Sequence, residues 1–376
     1  MTLCLEFLNE LQREQGYAPT TESTQGNEVR TKMSSRLLRS HSNDPSSVTT
    51  ALELCAIPNP EVLIRKGRGG GITVSPRWPQ VNIDDVSELS DVTYESIIGA
   101  FGPRLTQPFR YNPQDIEGWK KLALTKSAAT HELKFTLFCE HWLVPMLRLM
   151  LEGIGNTYKI DLGWFGDEGE KGKIPRFETW PGVLDSCSRK PDFGTIHIQV
   201  SDRDTRKKLW ILVAEAKHAD RWAWEDRLER NYDNRAVGKF IGAYRQLAAY
   251  GCSVNTQYVA IVTPAEVCLC RLIHHGVDET IDENRLGHLA PLQIGIQGMS
   301  LPWVPSGQNR ITILLGMLSW ILSAMNSGRR TIETLGSYVR LNEWVVIPRE
   351  GSDLYYIKIS QIIVRELPQG AIVVAV

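Results

Sequence analysis

Residues 208–222 read KLWILVAEAKHADRW. An apolar run is interrupted by one acid, Glu215, and stops at one lysine, Lys217. Side chains two apart on a strand share a face and sit about 7 Å apart, so Glu215 and Lys217 point the same way. The preceding stretch, PDFGTIHIQV (191–200), alternates as a strand does, with Ile196, Ile198 and Val200 on one face. The polar turn SDRDTRKK joins the two. A turn centred on Arg203 and Asp204 sets Asp192 opposite Glu215 in an antiparallel pair. Directly opposed side chains lie about 4.5–5.5 Å apart at Cβ. Two carboxylates that close repel each other unless a cation lies between them. Lys217 offsets part of that charge, and a divalent metal is the stronger solution. An all-oxygen ligand set favours Mg²⁺ or Mn²⁺ over zinc. The plain structural alternative is an ion pair of Asp192 or Glu215 with Lys217 that caps a core hairpin.

These residues need elements to position them. Residues 127–152 carry apolar positions at helical spacing, broken near Pro145. TYKIDLGWFG (157–166) reads as a strand, and LWILVAEAK (209–217) as a central strand that is apolar on both faces. NRAVGKFIGAYRQLAAYG (234–251) reads as a helix ended by glycine. QYVAIVTP and EVCLCRLIHHG are two more strands. The order is helix, three strands, helix, two strands. Beyond 290 the pattern adds a helix and the short strands EWVVIP, LYYIKI and AIVVAV.

On these residues the chain resembles the PD-(D/E)XK nuclease superfamily. Pro191-Asp192, followed by a strand ending Glu215-Ala216-Lys217, matches the family's motif. Gln246 and Tyr250, four apart on one helical face, look like the QxxxY element of the RecB-like branch. The family also carries a glutamate on the helix before its first core strand, and Glu132 and Glu140 both qualify. The arrangement is similar to that of poorly characterised fungal members. The resemblance spans about residues 127–276, less than half the chain. It implies a restriction-endonuclease-like α/β fold with a mixed sheet flanked by helices. It further implies metal-dependent hydrolysis of a phosphodiester, usually in DNA. Asp192 and Glu215 would hold the Mg²⁺ or Mn²⁺, with the Ala216 carbonyl as a further ligand. Glu132 or Glu140 would be a supporting or second-metal ligand. Lys217 would position the attacking water or offset transition-state charge, and Gln246 and Tyr250 would orient the acids or touch the backbone. The rival reading is a nuclease-like module without catalysis that binds nucleic acid or protein.

Composition bounds these expectations. The chain has 376 residues, 42% hydrophobic and 23% charged, with a formal net charge of −1. This is not a bulk polycation, so nucleic-acid contact must come from a local patch. Residues 203–245 hold eleven Lys/Arg against seven acids, a surplus of the required sign. Trp222 and Trp224 within it either stack on bases or anchor the loop to the core. Seven scattered cysteines argue against a disulfide framework and for a reducing, intracellular setting, cytoplasmic or nuclear. The acids Glu6 and Glu10 exclude a signal peptide at the N-terminus. The run Ile311–Met325 is too short to span a bilayer and reads as a buried helix.

Other motifs carry less. KGRGGGITV (66–74) lacks the Gly-Lys-Ser/Thr ending and reads as a glycine-rich turn. Cys268 and Cys270 share a face but His274 and His275 point opposite ways, which matches no common zinc site. His218 faces away from the acids. The expected organisation is a disordered arm (1–50), a Pro/Gly-rich extension (51–112), the nuclease-like domain (113–290) and a C-terminal extension packed on it (291–376). The expected partner is a nucleic acid, DNA ahead of RNA, and no membrane. The unassigned termini leave room for a protein partner or a second copy of the chain.

Overall fold

The computed structural model describes residues 46–64, 78–126, 128–129, 132–154, 159–163, 195–202, 205–210, 212–217, 222–225, 234–254, 256–277, 292–304, 311–326, 332–334, 339–348, 353–360, 362–367 and 371–374. The chain divides into Met1–Ser46 and Ser47–Val376, and the elements below belong to the second unit.

A mixed sheet organises the unit. Its strands lie in the order Val86–Glu88, Leu292–Pro302, Glu266–Val277, Tyr258–Val262, Val213–Ala216, with Glu333–Thr334 paired alongside Glu266–Val277. Val213–Ala216 and Tyr258–Val262 run parallel and are joined through the helix Asn234–Val254. Tyr258–Val262 (YVAIV) is buried at every residue, as a strand covered on both faces requires. Two clusters form the core, one on each face. The helix Asn234–Val254 packs over Val213, Val259, Ile261, Cys268 and Ile296. The helices Glu132–His141, Leu143–Gly153 and Ile313–Asn326 pack over Ala214, Ala216, Ala260, Val262 and Leu269. Glycine lets the first helix come close. A Cβ on Gly251 would overlap Leu272 and approach Thr256 O to 2.9 Å.

The α/β class and the order of elements agree with the pattern read from the sequence, while several details differ. The helix Asn234–Val254 runs through Gly251 rather than ending there, because that glycine serves close packing and not a cap. The segment 127–152 does break, but at Trp142. Pro145 occupies the third position of Leu143–Gly153, where a missing N–H costs no helical bond. The stretch 209–217 is two strands. Thr205–Trp210 pairs with Thr195–Asp202 in a separate three-stranded sheet with Lys159–Gly163, and Val213–Ala216 joins the main sheet.

Residues 47–50, assigned to a disordered arm, form a strand paired with Pro108–Tyr111. Thr50 then caps the helix Ala51–Cys55 in a reciprocal box with Glu53. Leu292–Pro302 is an interior strand that the apolar pattern did not announce. Gly295 and Gly298 interrupt it, because rings of His275 and Trp224 fill the space where their Cβ atoms would stand. The sheet thus draws strands from both sides of the 113–290 segment.

Ile313–Asn326 is the expected buried helix. Its two serines turn inward onto the backbone, Ser319 Oγ to Gly316 O at 2.8 Å and Ser323 Oγ to Ser319 O at 2.7 Å. Among the described residues no helix is long and apolar enough to cross a membrane. The final strands form a four-stranded sheet in the order Ile362–Val364, Leu354–Ile357, Glu343–Ile347, Ile372–Val374. Its Trp344 and Ile357 join the same core cluster as Ile313–Asn326.

Candidate functional site

The register of Val213–Ala216 decides which way its charges face. Val213 pairs with Val259 and Glu215 with Ile261. Val213, Val259 and Ile261 all lie beneath the helix Asn234–Val254, whereas Leu212, Ala214 and Ala216 lie in the opposite cluster. Glu215 therefore faces that helix, and alternation gives Lys217 the same face. The ladder extends one residue past the strand, with Lys217 N donating to Val262 O at 2.9 Å. Lys217 Nζ donates to Glu215 Oε1. Both side chains are buried, 7% and 2% exposed. The pair sits at the carboxyl end of two parallel strands, where open α/β sheets place their ligands.

The helix above supplies the second element. Gln246 Nε2 donates to Tyr250 Oη at 2.8 Å, and both residues are buried. Tyr244, Leu247 and Tyr250 lie in the cluster that also holds Val213. Trp222 and Trp224 are buried as well, at 1% and 6% exposure. Trp222 stacks on Phe240 at 6.0 Å and meets Tyr244 edge-on at 5.7 Å. These rings anchor the chain after Lys217 to the core, so of the two readings of the tryptophans the anchor holds and base stacking does not.

A further carboxylate shares this face and this end of the sheet. Cys268 pairs with Ile261, so Glu266, two residues earlier on the strand, faces the same way. Its Oε1 accepts the Trp224 N–H at 2.8 Å and its Oε2 accepts the Ser300 hydroxyl. Sequence reasoning missed Glu266, because only cross-strand pairing brings it beside this end of Val213–Ala216.

The other candidate residues are placed as follows. Asp192 and the side chain of Glu132 lie outside the described residues. The hairpin that follows Asp192 in the chain is described, and its ladder ends at His197 and Trp210, short of Val213–Ala216, which lies in the main sheet. His197 pairs with Trp210, Ile198 with Leu209 and Asp202 with Thr205 in the backbone ladder, the register that a turn at Arg203–Asp204 requires. Glu140 is exposed on Glu132–His141, and that helix buries Phe135, Phe138 and Cys139 in the cluster on the far face of the sheet. The structure therefore does not bring Glu140 to the buried pair. The Ala216 side chain also lies in that far cluster. Cys268 and Cys270 have their sulfurs 3.5 Å apart in the core. Burial, with Cys270 and Glu266 nearby, pushes the Cys268 thiol well up. Partial burial and the neighbouring His275 hold His274 below the ordinary histidine value.

Glu215 offers a hard oxygen donor of the type Mg²⁺ and Mn²⁺ prefer. In number, the described residues contain no group of three His, Cys, Asp or Glu that would hold a metal ion. No protein-family model, curated protein or solved structure matches this chain.

Proposed function

We propose that the chain is a metal-dependent nuclease of the PD-(D/E)XK type that hydrolyses phosphodiester bonds in DNA, with Asp192, Glu215 and Lys217 at its centre. One observation carries the reading: Glu215 and Lys217 are buried together, two residues apart, on one face at the carboxyl end of a parallel strand. The helix–strand–strand–strand–helix–strand order and the hairpin register support a restriction-endonuclease-like core. Bound Mg²⁺ or Mn²⁺ would polarise the scissile phosphate and lower the pKa of a water. Asp192 and Glu215 would hold it, with the Ala216 carbonyl and Glu132 as further donors. Lys217 would orient the water or offset transition-state charge. The bonded Gln246–Tyr250 pair would keep the helix side of the site in register with the acids. An intracellular setting, cytoplasmic or nuclear, belongs to the same proposal. It is supported by Cys55, Cys139, Cys252, Cys268 and Cys270, all buried free thiols.

The experiment is nicking of plasmid and single-stranded DNA, and of RNA, with Mg²⁺ or Mn²⁺. Wild-type protein cleaves, and Lys217→Ala and Asp192→Ala do not. A protein that cleaves no nucleic acid under these conditions refutes the enzyme reading. The second reading is a nuclease-like module that binds nucleic acid or protein without cleaving. The same burial favours it, because an acid already neutralised by a buried lysine needs no metal. Binding of DNA that survives Lys217→Ala, with no cleavage by wild type, would select it.

A further inference from the structure

We infer that the face of the three-stranded sheet Lys159–Gly163, Thr195–Asp202, Thr205–Trp210 that gathers Lys159, Arg206, Lys208 and Trp210 binds single-stranded DNA. This surface rests on the nucleic-acid partner of the proposed function and on no residue of the Glu215 site. In the sequence, Arg206, Lys207 and Lys208 read as one basic run. Strand alternation splits it, with Arg206 and Lys208 on one face and Lys207 on the other. The ladder then adds to the first face. Lys159, Gln199 and Lys208 form one row across the three strands, and Asp161, His197 and Trp210 form the row two residues along. The row between them, Ile160, Ile198 and Leu209, is wholly apolar and belongs to the other face. An apolar face backed by a polar one is the pattern of an antiparallel sheet that covers the first and solvates the second. The polar face sets three cations, Lys159, Arg206 and Lys208, against one acid, Asp161, in a chain whose net charge is −1. The positions of Lys159 and Lys208 are two strand spacings apart, about 10 Å, and Arg206 stands about 7 Å along from Lys208. Cations spread over that area suit a run of phosphates better than a single carboxylate. Trp210 adds a ring of the kind on which unpaired bases stack, and a sheet face is a surface that accepts them. Bases in a duplex are already stacked on each other, so the ring selects a single strand.

The test is fluorescence anisotropy of a labelled single-stranded DNA oligonucleotide titrated with the full chain, in EDTA and over a range of salt concentrations. Lys159→Gln, Arg206→Gln and Lys208→Gln should each weaken binding and lower the slope of log affinity against log salt by about 1. Lys207→Gln removes the same charge from the same strand and should leave affinity and slope at the wild-type values. Trp210→Ala should weaken binding about tenfold with the slope unchanged. Loss in Lys207→Gln as large as in its neighbours, or no loss in the other three, overturns the face assignment. Losses seen with duplex but not with the single strand, or competition by polyglutamate as strong as by DNA, overturn the partner. Wild type that binds no DNA in EDTA overturns the surface and leaves the nuclease reading to its cleavage assay. The three cations lie on two strands, so any one variant that keeps the wild-type thermal midpoint decides.

Discussion

Two buried ion pairs lie on opposite faces of one sheet, and they are built differently. Arg271 grips Asp91 with both arms, at 3.0 and 2.9 Å, across 180 residues of chain. The same guanidinium donates to Gln297 Oε1 at 3.2 Å and lies over the Trp320 ring at 5.7 Å. Asp91 Oδ2 also accepts the Leu341 N–H at 2.9 Å. One pair thus ties together an N-terminal segment, two strands, the core helix and the C-terminal segment. Glu215 and Lys217 are two residues apart on one strand, so their bond closes no loop and docks no element. Burying charge is costly in both places. At Asp91–Arg271 the return is the fold itself. The Glu215–Lys217 bond is local to one strand end, and this contrast in build accompanies the reading of the second pair as a site.

The largest effect should come from Arg271→Met, which leaves Asp91 buried without its cation. A loss of about 3–5 kcal/mol is expected, read by urea denaturation. A loss under about 1 kcal/mol would mean that the pair is not the tie described. Next, replacing both members of the site pair, Glu215→Leu with Lys217→Met, should change stability by less than about 1.5 kcal/mol or raise it while abolishing metal binding. A loss as large as that of Arg271→Met would erase the contrast between the pairs.

Acid should separate them too. Burial by itself would raise the Asp91 pKa, but the charge and hydrogen bonds of Arg271, with the Leu341 N–H, more than offset it, and the net shift is downward. A lowered folded-state pKa contributes stability above the unfolded value. That stability is lost as pH falls below about 4 through the folded one. The thermal midpoint of wild type should therefore drop steeply in that range, and Asp91→Asn should start lower and drop less. Parallel curves would show that Asp91 does not titrate with unfolding. The smallest effect is Tyr250→Phe, which removes the acceptor of the Gln246 amide. About 1 kcal/mol is expected, measured against wild type by the same denaturation.

Much of the architecture was legible in short patterns. The polar turn centred on Arg203 and Asp204 sufficed for the hairpin register from His197–Trp210 to Asp202–Thr205, because a tight turn fixes which residues of the two strands pair. The uniformly apolar run at Ile311–Met325 has no solvated side and had to be a buried helix. The Glu215–Lys217 proximity follows from strand geometry alone. The strand Leu292–Pro302 was not legible, because Gly295 and Gly298 remove the side chains that would mark it. The reason for those glycines lies in His275 and Trp224, far away in sequence. Gly251 misled for the same reason. It looks like a helix terminator, and only the closeness of Leu272 explains it.

The sequence by itself determined an α/β chain, the helix–strand order and a charged pair on one strand face. These depend on local periodicity and residue chemistry, which a single chain carries within a few residues of each position. Tertiary structure decided which charges are buried, that Trp222 and Trp224 belong to the core, that Glu266 stands on the site's face, and that Asp91 meets Arg271. Those facts depend on which strands become neighbours. Strand neighbours are chosen by the total burial of both sheet faces, a quantity no local segment contains.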